Sequence, residues 1–413
     1  LAGDGQTKPR RLTSQTDHYE FYPRFSPDGK SVVYTTWDDT ELGSVRIVAV
    51  RNGRSRVVTP KPGHYVEPTF SPDGKLVAYL KVGGGWVRSP KWSRDRGLYV
   101  APVKARRGQE EPYRVTPQGQ DPQFSADGTR LYFTVAGEDK GGNDRVALES
   151  IELDGSDQRV HVESSLATAY RVSPDGRWLA FVEGFQAHIL PMPATGGKPI
   201  KVGAKSKSLP MARVTHDAGT FVHWSGDSQT LHWSHGPELF SRALKDSFAF
   251  LDGAPETLPE PPEKGINLGL SVAADVPKGT VAIVGARVAT MRKDAWNEIL
   301  EDTTIVIEGN RIKAIGPRAQ VAIPAGAHQI QGAGMTVIPG LVDVHAHGAQ
   351  GRQGIIPEQN WLHYAELSFG VTTVHDPSND THTIFAASEM ARAGMLTAPR
   401  IFSTGTILYG ALA

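Results

Sequence analysis

Two kinds of architecture follow one another in this 413-residue chain: an all-β propeller, then a small β-sheet unit that leads into alternating strands and helices. Three observations predict this multidomain plan. A Ser-Pro-Asp-Gly turn motif recurs through the first half, the motif stops at a Pro-rich acidic stretch, and beyond Met335 the hydrophobic pattern changes from strands alone to strand, helix, strand.

The repeat comes first. Ser-Pro-Asp-Gly-Lys stands at Ser26 and Ser71, Ser-Ala-Asp-Gly at Ser125, Ser-Pro-Asp-Gly-Arg at Ser173 and a degraded Ser-Gly-Asp-Ser at Ser225, with intervals of 45, 54, 48 and 52 residues. Each motif reads as a hairpin turn, in which Pro27 presets the first central φ, Asp28 bonds its own backbone and Gly29 takes the left-handed position. Apolar, β-branched or aromatic segments flank every turn, such as Tyr22 to Phe25 and Val32 to Thr36, Val66 to Phe70 and Leu76 to Leu80, Leu131 to Thr134, and Trp178 to Val182. Further strands follow, for example Val45 to Val50 and Arg56 to Thr59. Four strands in about 50 residues make a propeller blade, and five such units span residues 1–251. Lys8 to Thr13 reads as an outermost blade strand, either closing the ring on the last blade or left from blades upstream.

Asp252 to Lys264 is rich in Pro and Glu, and 252–278 reads as an extended linker. Strands resume at Thr280 to Val284, Thr303 to Glu308, Arg311 to Ile315 and His328 to Gln331, with Ile305 to Gly316 forming a tight hairpin, so 279–334 is a small sheet unit. In 335–413 a strand runs to His347, a helix covers Glu358 to Ser368, a strand Val371 to Val374, a second helix Thr383 to Arg392, and a third strand begins at Arg400. Repeated βα units of this length imply a parallel sheet or a barrel.

The chemistry concentrates in Val337 to Gly348, Val-Ile-Pro-Gly-Leu-Val-Asp-Val-His-Ala-His-Gly. Its two imidazoles, His345 and His347, leave one face of the pleat at the strand's end, where they can grip a metal ion. With 14 histidines in the chain, about half of one His-x-His pair is expected by chance, so the strand-end context carries the assignment. Asp343 lies one layer deeper and reads as structural. His363 and His382 read as structural helix residues, and His223 and His232 as ordinary blade residues.

Composition excludes several classes. Lys plus Arg equals Asp plus Glu at 44 each, which gives no global preference for nucleic acid or an anionic membrane. A local basic stretch, Lys81 to Arg114, reads as a solvated loop. The absence of cysteine rules out disulfides, thiolate metal sites and cysteine nucleophiles. No apolar run approaches the ~18 residues of a membrane span. The chain opens Leu-Ala-Gly-Asp, without an initiator Met or a signal peptide, which suggests a processed product or a fragment; periplasmic or secreted location follows if a leader was removed.

The Phe-Ser-Pro-Asp-Gly-Lys turns resemble those of TolB-type β-propellers over Lys8 to Leu251. The motif at 337–348, preceded by a small β unit and followed by Gly370-Val-Thr-Thr-Val-His-Asp376, resembles the amidohydrolase superfamily, especially imidazolonepropionase- and prolidase-like members, over Gly279 to Ala413. That resemblance implies an incomplete (β/α)8 barrel with an appended β-sandwich, His345 and His347 as metal ligands, one or two divalent ions, commonly zinc, and a substrate or second-shell role for His375 and Asp376. It implies hydrolysis of amide or other C–N bonds in small-molecule, peptide or acyl-amino-acid-like substrates by a metal-activated water. The alternative is a non-catalytic propeller-based binding protein with a remnant amidohydrolase domain. In the family the other ligands and the proton-transferring aspartate lie on later strands, and 335–413 supplies 79 residues where a whole barrel takes about 250. The expectation is therefore one piece of a larger enzyme, its remainder in the rest of the same protein or in a homo-oligomer, and this fragment inactive alone. Light scattering on the purified chain checks it, since a stable, monodisperse monomer overturns it.

Overall fold

A serine, an aspartate and two backbone N–H groups close each repeated hairpin. In the computed structural model, which describes residues 7, 10–83, 94–104, 111–139, 141–193, 198–269 and 271–407, Ser26 Oγ donates to Asp28 Oδ1 (2.7 Å) and accepts from Ser31 N (3.0 Å). Asp28 Oδ1 also accepts from Lys30 N, and Gly29 stands at φ 68°. The same bonds recur at Ser71, Ser125, Ser173 and Ser225. In the degraded fifth copy Ser228 occupies the left-handed position at φ 62°, so the serine–aspartate geometry survives without Pro or Gly. The serine hydroxyl, then the backbone N–H, hold Asp28, Asp73 and Asp227 below the usual carboxylate range.

Five antiparallel sheets result. In chain order they are built from Tyr19–Phe25, Ser31–Trp37, Ser44–Ala49 and Ser55–Val57; Tyr65–Phe70, Leu76–Lys81, Gly97–Pro102 and Tyr113–Thr116; Gln120–Phe124, Arg130–Glu138, Asp144–Glu152 and Arg159–Ser164, with Ile200–Lys201 added in parallel; Ala167–Val172, Trp178–Glu183, Gln186–Pro191 and Ala212–Arg213; and Thr220–Trp224, Thr230–His235, Glu238–Ala243 and Ile266–Asn267. Each is a simple meander, as in a propeller blade. The core lies between sheets: Val33, Tyr65, Phe70 and Tyr79 join the first and second, while Trp178, Val222, Trp233 and Phe248 join the fourth and fifth.

Two boundary expectations change. The stretch expected as a linker supplies the fifth sheet's last strand, Ile266–Asn267, which pairs with Glu238 and Leu239, and Pro259 O accepts from Arg242 Nη2. By its contacts the chain forms two units, Leu1–Ser271 and Val272–Ala413. Lys8 and Pro9 lie outside the described residues, and Arg10 to Thr13 is not a strand: Arg10 bonds Val50 O and Leu12 packs on Val32, Tyr34 and Val48, so this segment lies on the first blade. Of the basic stretch, 84–93 and 105–110 are outside the described residues.

In the second unit Thr280–Ala289 and Ile299–Glu308 form the centre of a five-stranded sheet, flanked by Arg311–Pro317 on one side and by His328–Gln331 and Thr336–Val337, both parallel, on the other. The expected hairpin is present, with Gly309 at φ 59° in its two-residue turn. Three parallel strands follow, Leu341–Asp343, Val371–Asp376 and Arg400–Ser403, in chain order. Helix α1 (Trp361–Ser368) is capped by Asn360 and helix α2 (Thr381–Arg392) by Asp380, each side chain accepting an early helix N–H.

Ser173→Ala tests the turn logic at a buried copy, because Ser173 Oγ is the acceptor for Trp178 N (2.9 Å). Stranding that amide costs about 1–3 kcal/mol, read as a lower urea midpoint at unchanged slope.

Candidate functional site

The first parallel strand stops at Asp343, two residues before His345. Asp343 Oδ1 accepts from His345 N (3.0 Å), and this Asx-type turn draws the backbone out of the ladder. The chain returns at once, for Ala346 N donates to His375 O (3.0 Å) at the end of the second strand. His345 and His347 thus sit just past the strand rather than within its pleat, which corrects the expected strand end. They still converge: their ring centroids are 5.0 Å apart, with the planes at 74°.

His347 is oriented from below. Its Nδ1 lies 3.3 Å from Asp376 Oδ1 and 3.5 Å from Ser378 Oγ. Asp376 is buried and well anchored, accepting from Ser378 N (2.9 Å) and Asn379 Nδ2 (2.7 Å), while Asn379 Nδ2 also reaches Gly348 O (2.7 Å). A carboxylate beside Nδ1 with Nε2 left outward is the arrangement in which metal-binding histidines are commonly oriented. Ser378 and Asn379 escaped the sequence reading; their signal was the Asp-Pro-Ser-Asn run that ends the second strand.

The other expected residues divide. His375 contributes its backbone carbonyl, and strand alternation puts its imidazole on the face opposite Asp376, so the two do not act as a pair. Asp343 is structural, as expected. His363 is buried in α1, with Nε2 at 2.9 Å from Gln350 Oε1 and no partner at Nδ1 among the described residues. Among the described residues no group of three or more His, Cys, Asp or Glu is placed to hold a metal. The donor set is therefore two imidazoles, one of them carboxylate-oriented, and its chemistry suits a divalent ion such as zinc that completes its shell elsewhere.

The first parallel strand and the residue after it are bare: Leu341 is 50% exposed and Val342 59%, and Val344 is 73% exposed. Such residues ordinarily face a core.

Residues 3–198 match a family described as the TolB beta propeller domain. An imidazolonepropionase from Arthrobacter sp. (strain FB24) is 42% identical over 57 residues, 14% of this chain and 14% of that enzyme. Another, from Vibrio cholerae serotype O1, is 41% identical over 63 residues, 15% of each chain. The chain is thus similar to TolB-type propellers over residues 3–198 and, over a short stretch, to imidazolonepropionases. Among solved structures, TolB from Acinetobacter baumannii is 18% identical, covering 56% of this chain and 53% of that one at a TM-score of 0.40. Molinate hydrolase is 27% identical, covering 32% and 31%, at 0.28. The matched stretch is a small part of each curated imidazolonepropionase, about one seventh of its length. The TolB match ends before the fifth blade, the one whose turn has lost its Pro and Gly.

Burial pulls His363 down from 6.5 to about 4. The unfolded chain takes up a proton there before the folded one does, so stability is full above about pH 6.5 and falls as the pH drops toward 4, by roughly 2–3 kcal/mol in all. Denaturation of His363→Leu at a series of pH values should show that slope flattened.

Proposed function

We propose that this chain belongs to a metal-dependent hydrolase of amide or other C–N bonds, with peptide or acyl-amino-acid-like substrates. The carboxylate-oriented histidine supports it: Asp376 is buried, anchored by two donors, and set at Nδ1 of His347, beside His345. A hydroxyl-terminated turn would suffice to hold a surface loop. A buried carboxylate aimed at one ring nitrogen raises the basicity of the other, which is what a metal ligand needs.

His345 and His347 would hold the ion, and a divalent metal supplies Lewis acidity and an acidified water for attack on a carbonyl. This chain's own residues do the positioning. Asp376 stands beside Nδ1 of His347 and orients its ring, Asn379 ties Asp376 to the backbone at Gly348, and the Ala346–His375 bond sets the spacing of both histidines against the second strand.

The exposed Leu341, Val342 and Val344 support the finer architecture, in which these three strands are the first of a (β/α)8 barrel and the five-stranded sheet is its β-sandwich. In this reading further strands, from the same protein or from another copy of it, cover that apolar face and bring the remaining ligands and the proton-transferring group.

Zinc titration by competition with a chromophoric chelator, together with chelator-sensitive hydrolysis of dipeptides and N-acyl amino acids, both on the protein with those further strands present, tests the reading. Wild type should bind zinc, His345→Ala and His347→Ala should each lose most of that binding, and Asp376→Asn should weaken it by about 10–100-fold. Absence of both metal and turnover would leave the propeller-based binding protein as the function.

A further inference from the structure

The inner strands of the five blades carry a second pattern, counted back from the turn serines. The residues four and two places before each serine are Tyr22 and Arg24, Glu67 and Thr69, Asp121 and Gln123, Ala169 and Arg171, and Phe221 and His223. Every inner strand has a register break here. Four of the five first positions are left-handed although none is glycine: Tyr22 at φ 53°, Glu67 at 57°, Asp121 at 58° and Phe221 at 53°. Such a backbone costs of order 1 kcal/mol or more per residue. A cost repeated around the unit is retained for the side chains it presents.

Those side chains meet. Arg24 Nη2 donates to Asp121 Oδ1 (3.2 Å), Arg171 Nη1 donates to Asp121 Oδ2, and Asp121 N donates to Glu67 Oε2 (2.5 Å). Arg171 Nε is also bonded to Val222 O on the fifth blade (3.1 Å). His223, its Nδ1–H engaged by Phe221 O, completes the set and feels both guanidinium charges. Each blade contributes one member: Arg24, Glu67, Asp121, Arg171 and His223.

The charges do not cancel in kind. One carboxylate, Asp121, serves two guanidiniums, and Arg24 makes no other side-chain hydrogen bond among the described residues. Its side chain remains 32% exposed, so solvent reaches its unused N–H donors. Glu67 accepts from a backbone amide and bonds neither arginine. Burial drives its pKa well above the ordinary carboxylate range against the pull of Arg171 and Arg24. With Glu67 protonated the cluster is one positive charge in excess, and Arg24 is its more exposed guanidinium.

We propose that this five-blade cluster is a binding site for a small carboxylate, received by the Arg24 guanidinium with the Arg171 charge beside it, whose Nε and Nη1 are held by Val222 O, Asp121 and Tyr170 O. The guanidinium fork matches a carboxylate in shape and charge. Facing Glu67 are Arg24 and Tyr22 from the first blade, Asp121 from the third, Arg171 from the fourth and His223 from the fifth; of these Asp121 is held by the two arginines, desolvation lowers Arg24 and brings Arg171 down to about 9, and desolvation lowers His223. As pH rises Glu67 ionises beside the bound anion, so binding weakens with increasing pH.

Calorimetric titration of the full chain with succinate, and with succinamide as the neutral control, tests this independently of any hydrolase activity. Succinate should bind saturably at pH 6 and about tenfold more weakly at pH 8, a span that brackets Glu67 and stays below Arg171, and succinamide should not bind. Glu67→Gln, which keeps the acceptor for Asp121 N, should bind equally at both pH values, and Arg24→Gln should lose at least about tenfold in affinity, with thermal melts reporting that both variants fold. No saturable binding of succinate at pH 6, equal binding of succinamide, or a pH dependence that persists in Glu67→Gln would overturn the proposal, whether or not Arg24→Gln folds.

Discussion

The hydrogen bond from a turn serine to its aspartate, made five times, is the constraint on which the first unit rests. By accepting a backbone N–H five residues on, the serine closes the hairpin and fixes the register of the innermost strand against its neighbour. A strand's side chains alternate, so a fixed register also fixes which residues face inward. The positions two and four places before each serine inherit that placement. A local turn thereby controls the composition of a cluster assembled from residues up to about 200 positions apart, Arg24 to His223.

This explains which features the sequence discloses. The five sheets were legible because turn chemistry and strand periodicity are local, and the fifth was legible even with its Pro and Gly replaced, since serine and aspartate carry the geometry. The charge cluster was not legible. Arg24, Glu67, Asp121 and Arg171 look like scattered polar residues in apolar strands until the register is known, and the left-handed backbone at Tyr22 or Phe221 is contrary to aromatic preference. The last strand of the fifth sheet was missed for a related reason: Ile266–Asn267 is too short for any period, and its place comes from its partner Glu238–Ala243.

In the second unit the histidine pair was visible as a motif and its support was not. The reading placed both histidines in the strand, whereas Asp343 ends the strand early by capturing the amide of His345. His375 and Asp376 are adjacent in the chain, yet adjacent strand residues face opposite ways and it is Asp376 that reaches His347. Asn379 was invisible since its role is to hold another side chain. Groups that touch a ligand leave motifs; groups that orient them leave geometry.

The uncovered first parallel strand also has a bearing on how the protein is made. Residues 341–343 emerge from the ribosome after the whole of the propeller, and among the described residues Leu341 and Val342 present both an open hydrogen-bonding edge and apolar side chains. Such an edge invites off-pathway pairing between nascent chains. Synthesis speed downstream of this strand and the supply of holdase chaperones then become determinants of yield, separate from the stability of either unit.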